Sequence, residues 1–134
     1  MKTAVLAQEE CESHNGKLAK PTTEEEHEEI KGIIRERKVE IMGLWAGDMD
    51  DFFADRQPVW LGIQENGTNE ITAQGGMNFT RYKDDEPNSV DDRCVYMSAG
   101  EGGIWYDSNC NNEFPFVCEK WGKCTSVYEK SRHI

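Results

Sequence analysis

The chain has 134 residues, 26 Asp and Glu against 15 Lys and Arg, and a formal net charge of −11. That length suits one domain, able to bury roughly two-thirds of its unfolded surface. The charge argues against nucleic acid or anionic membranes as partners, since both select basic patches, and no apolar run is long enough for membrane insertion.

The opening MKTAVLA has the look of a secretion signal, but acids follow at once and no adequate apolar core exists. A signal is therefore not expected within this chain. Thr3 to Ser13 predicts a short helix, with Leu6, Ala7 and Cys11 at helical spacing and Gly16 beyond as a stop. The second helix has the strongest local signal. Thr22 with Glu25, and Thr23 with Glu26, are capping boxes after Pro21, and Ile30, Ile33 and Ile34 form one apolar face. Its first turns are acidic, while Lys31, Arg35, Arg37 and Lys38 follow towards the end, as the helix dipole prefers. EEEHEE is thus read as a solvated helix start.

Beyond Lys38 the pattern changes to strands: VWLGI (59–63), CVYM (94–97), GIWYD (103–107) and PFVCEK (115–120). Residues 64–93 show little regular pattern, and a loop region this long inside a compact domain is usually functional. Two helices followed by strands and long loops predict an α+β fold.

Enzyme signatures fail one by one. HEEIK (27–31) has Lys31 where a zinc protease would need its second His. DMDDFFAD (48–55) has the acid density of a calcium loop without the central Gly or closing Glu, and predicts an exposed acidic loop. His14, His27 and His133 fit no Ser or Cys nucleophile pattern. Glu86 and Asp107 are read as ion ligands in preference to a hydrolase pair, so no enzyme is expected.

What remains is a set of oxygen donors. Glu86 and Asn88 flank Pro87, Asp92 stands two residues before Cys94, and Asp107 ends a strand three residues before Cys110. Residues i and i+2 of an extended segment project to one side. Three carboxylates and an amide suit Ca²⁺, which takes six to eight oxygen ligands, and do not suit zinc or copper. Five cysteines, at 11, 94, 110, 118 and 124, contain no C-x-x-C pair. With the sequons at Asn66 and Asn78 they favour an oxidising, extracellular and secreted setting.

From about Ala7 to Glu119 the chain resembles the C-type lectin-like domain. The motifs are Ala7-x-x-x-Cys11, GKLA (16–19), WLGI (60–63), EPN (86–88), Cys94-Val95-Tyr96-Met97, Trp105-x-Asp107, Cys110 and FVCE (116–119). Each is weak alone, and the ordered set is specific. The resemblance implies a disulfide-stapled fold with a long loop region, disulfides Cys11–Cys118 and Cys94–Cys110, and a cis Pro87. It further implies one calcium site at Glu86, Asn88, Asp92 and Asp107, of weak extracellular type. Sugar hydroxyls would complete that site, and EPN resembles mannose-type members. A carboxylate only accepts hydrogen bonds while an amide also donates, so Glu86 and Asn88 form an asymmetric pair for adjacent hydroxyls. Partners are accordingly mannose-type glycans or a protein ligand.

The chain departs from that family pattern at four places. Tyr106 stands where sugar-binding members carry Asn, and is expected either to stack on a sugar or to pack locally. Ser89 and Arg93 replace the acids of an auxiliary calcium site. The opening strand is missing and Ala4 occupies a usual Trp position, which leaves the PFVCEK strand without a partner. The domain is expected over 1–120, followed by an extension over 121–134 whose Cys124 could crosslink two chains into a dimer.

Overall fold

The structure is a computed structural model that describes residues 1–64, 94–120 and 127–129. Its elements begin with helix α1 (Ala4–Glu12), strand β1 (Gly16–Leu18) and helices α2 (Glu24–Glu36), α3 (Lys38–Asp48) and α4 (Asp51–Arg56). Strands β2 (Pro58–Gln64), β3 (Cys94–Ser98), β4 (Ile104–Ser108), β5 (Val117–Lys120) and β6 (Val127–Glu129) complete it. The α+β expectation holds, with four α-helices among the described residues where the sequence predicts two.

Both predicted helices form, and their caps are those the sequence offers. Thr3 accepts from the Leu6 amide and Thr23 from the Glu26 amide, satisfying N–H groups that a helix start leaves open. Glu26 reaches back to the Thr22 amide at 2.8 Å. The second half of DMDDFFAD is a correction: instead of an exposed loop it forms α4. Asp50 caps that helix by accepting from the Phe53 amide at 3.0 Å, and Gln57 ends it in the left-handed region at φ 54°. α3 is the other addition, and it turns Ile41 and Trp45 into the core, where the Trp45 indole donates to the Pro58 carbonyl.

Strands β2, β3 and β4 form an antiparallel sheet in that order. Alternation along them feeds two cores. Val59, Leu61, Ile63, Val95, Met97 and Trp105 face α2 and α3, where Ile30, Ile34, Ile41 and Trp45 meet them. Trp60, Tyr96 and Tyr106 face the other way, towards Ala7 of α1 and Phe114. All five residues of β3 are buried, so this strand reads as a continuous apolar run where a one-sided sheet would alternate. Gly62 sits at the β2 irregularity because a Cβ there would lie 2.5 Å from the Leu18 carbonyl oxygen.

The second sheet has the order β1-β5-β6. The sequence predicted an unpaired edge on the PFVCEK strand, and here the structure differs. Val117 pairs with Glu129, Cys118 with Tyr128 and Glu119 with Val127, so β5 is flanked on both sides. Glu119 also ties the sheet to α2's approach, accepting from the Lys20 amide at 2.7 Å. Burial pushes its carboxyl above the ordinary range, while that amide favours the ionised form. The disulfides join Cys11 to Cys118 and Cys94 to Cys110, the two pairs that the resemblance implies.

Candidate functional site

The candidate site is built from the open end of the β3–β4 hairpin. Asp107 lies opposite Val95 and Ser108 opposite Cys94. The Cys94–Cys110 disulfide, with Cα atoms 5.2 Å apart, then fastens the chain after β4 to the start of β3. Asn112 donates to the Ser108 hydroxyl, Asn109 accepts from the Asn111 amide, and the Cys110 carbonyl accepts from the Ala4 amide. The turn that follows Asp107 is therefore tied at several points. Asp107 is half-buried and shares a sheet face with Trp105 and Val95. Of the predicted oxygen donors only Asp107 is among the described residues. Glu86, Asn88 and Asp92 lie outside them, as do Pro87, Ser89, Arg93, Cys124 and the sequons at Asn66 and Asn78.

Tyr106 points to the opposite face. It is only 4% exposed, and its ring stacks on Tyr96 with centroids 5.4 Å apart and planes 16° from parallel. The Arg56 guanidinium carbon sits 3.9 Å from the Tyr106 ring centre. Arg56 also donates to the Tyr96 hydroxyl at 2.9 Å. Burial of that phenol outweighs the nearby cation and pushes its pKa up to about 12. A ring so enclosed has no face for a sugar to stack on. Of the two expectations for Tyr106, local packing is the one the geometry supports.

His27 is a residue that sequence reasoning missed. The acidic start of α2 is solvated at Glu24 and Glu25, but His27 is only 2% exposed. Its Nε2 lies 3.0 Å from the Gly103 carbonyl, which can only accept, so the neutral ring carries its proton there. Burial lowers the His27 pKa below its ordinary value. Gly103 makes room for this contact: at φ 91° a Cβ would lie 3.1 Å from the imidazole and 2.9 Å from the Lys31 stem. Glu24, His27 and Glu28 bring ligand atoms within 4.8 Å of one another. That set mixes nitrogen with oxygen, unlike the all-oxygen donors expected from the sequence. The signal for a buried residue was its spacing, since His27, Ile30 and Ile34 fall on one helical face.

Among the described residues no helix is long and apolar enough to cross a membrane. Human tetranectin is 26% identical over 124 residues, an alignment covering 88% of this chain and 54% of tetranectin. The chain thus spans about half the length of that relative. Two solved structures share the fold. Human lithostathine superposes with a TM-score of 0.66 at 22% identity, covering 96% of this chain and 77% of its own. The cow C-type carbohydrate-recognition domain of CD23, determined with a GlcNAc2Man3 oligosaccharide, gives 0.61 at 20% identity over 87% of this chain and 78% of its own. The family model for the lectin C-type domain matches residues 1–120. With the two disulfides, the two-sided hairpin and that match together, the chain belongs to the C-type lectin domain family.

Proposed function

We propose that this domain binds glycans of mannose type through one calcium ion held by Glu86, Asn88, Asp92 and Asp107. The observation that carries this reading is the position of Asp107, half-buried beside a disulfide that ties β4's exit to the start of β3. In the sequence Asp92 stands two residues before Cys94, the half-cystine of that disulfide. The donor chemistry fits a hard cation, since it consists of carboxylates and an amide oxygen. When bound, calcium would supply open coordination positions for two sugar hydroxyls. The chain's own side chains would orient those hydroxyls, with carboxylates accepting and the Asn88 amide also donating. The role is binding without turnover, in an extracellular setting.

A second reading has its own observation. Tyr106 has left the site for the core, so the neighbour of Asp107 contributes no amide oxygen. On that reading the domain binds a protein ligand without calcium.

Calcium titration followed by Trp105 fluorescence, together with mannose-oligosaccharide binding in the presence and absence of chelator, separates the two. The first reading expects saturation within about 10 mM calcium and chelator-sensitive sugar binding that Glu86→Ala and Asp107→Ala abolish. Binding to a protein partner that survives both substitutions and the chelator would establish the second.

A further inference from the structure

A cavity of about 150 Å³ lies at the junction of α2 and α3, lined by Lys31, Ile34, Arg35, Lys38, Gln57 and Ala99. Three of the chain's 15 basic residues thus meet in one small space, and no carboxylate is among its lining residues. In a chain of net charge −11 such a gathering runs against the general field. Helical geometry explains how it arises. Lys31 and Arg35 are one turn apart on α2, and α3 begins at Lys38 directly after the α2 cap residue Arg37.

Of the three cations Lys31 is held in place, while Arg35 and Lys38 are exposed. The Lys31 stem rests against Gly103, where a Cβ would come within 2.9 Å of it, and its ammonium lies 3.2 Å from the Glu28 carboxylate. The Gln57 backbone amide donates to the Phe53 and Ala54 carbonyls, and its backbone carbonyl accepts from the Ala99 amide. Among the described residues, neither Arg35 nor Lys38 lies within ion-pair distance of a carboxylate. Two ammonium groups and a guanidinium fork, with Ile34 and Ala99 as the apolar part of the lining, suit a tetrahedral oxyanion.

We propose that this cavity is a second ligand site, which binds a sulfate or phosphate monoester. It lies beyond the end of the hairpin opposite Asp107: Ala99 follows Ser98, and the strand from Cys94 to Ser98 is roughly 13 Å long. The site needs no calcium. It therefore stands or falls separately from the glycan reading above.

The test is an amide-resolved NMR titration of the full chain in EDTA at constant ionic strength. The probes are inorganic sulfate, glucose 6-sulfate, glucose 6-phosphate and unsubstituted glucose. Saturable shifts at Lys31, Arg35, Lys38, Gln57 and Ala99 are expected with the esters and none with glucose. The stronger of the two esters identifies the source of the oxyanion. The double variant Arg35→Gln, Lys38→Gln should weaken ester binding by at least about tenfold while keeping the parent melting temperature. Unsaturating shifts spread over all basic residues, a response to inorganic sulfate alone, or undiminished binding by the folded double variant would overturn the proposal. In the last case the cations serve only the C-terminal end of α2.

Discussion

His27 places a titratable ring inside the core, against Trp105 at 6.0 Å between centroids and under the Gly103 carbonyl. Its folded pKa lies below the ordinary 6.5, with burial as the leading cause. The unfolded chain therefore takes up a proton first as pH falls, and stability contributed by the neutral ring is lost from about pH 6.5 downwards. Glu28, 3.9 Å from Nδ1, works against this shift and Lys31 works with it. Denaturant unfolding at pH 7.5 and 5.5 should show a shallower loss in His27→Gln, whose amide still donates but does not titrate. Parallel losses in both proteins would assign the acid sensitivity elsewhere. At this scale the sequence disclosed side-chain types better than their surroundings. Helical spacing put His27 with Ile30 and Ile34, yet the acids around it suggested a solvated stretch. Strand alternation made local packing of Tyr106 readable from Trp105, but its partners Tyr96 and Arg56 are 10 and 50 residues away and left no local trace.

Among the elements, those with strong periodicity were legible. α1, α2 and strands β2 to β5 occur where the pattern puts them, with ends displaced by a residue or two. α3 was hidden because KVEIMGLWAGD carries Gly43 and Gly47, each worth about 1 kcal/mol against a helix, and lacks a polar face. Burial of Ile41 and Trp45 overrides that preference. β6 was hidden for a different reason. Three residues, VYE, hold too little alternation to announce a strand, and only an open edge on β5 calls for one. Removing residues 121–134 should therefore destabilise the domain and promote aggregation, since β5 would present unpaired backbone groups. Light scattering and denaturant midpoints of the shortened chain check this; an unchanged midpoint with no added scattering would show that β6 contributes nothing to stability.

At the scale of the whole molecule, the sheet β2-β3-β4 separates two cores, and the second sheet binds the beginning of the chain to its end. The family resemblance gave the disulfide pairs and the fold, because all of its motifs but EPN (86–88) lie in the described core. The proposed calcium ligands are legible only as types and order, since three of the four fall outside the described residues. The same long-range architecture has a consequence for biosynthesis. Cys11 meets Cys118 across 107 residues, and Gly16 pairs with Lys120, so a nascent chain cannot join β1 to β5 until Lys120 has emerged. At roughly 5–20 residues per second, Cys11 waits about 5–20 s as a free thiol. Cys94 emerges before Cys118 and offers it a wrong partner. Closing the 16-residue separation to Cys110 is cheaper in chain entropy by roughly 1.7 kcal/mol than closing 107 residues. Oxidative refolding with timed thiol trapping and mass spectrometry should therefore find Cys94–Cys110 before Cys11–Cys118, and the reverse order would mean that the terminal sheet assembles ahead of its own staple. The strand that carries Cys118 thus decides when Cys11 becomes safe from mispairing.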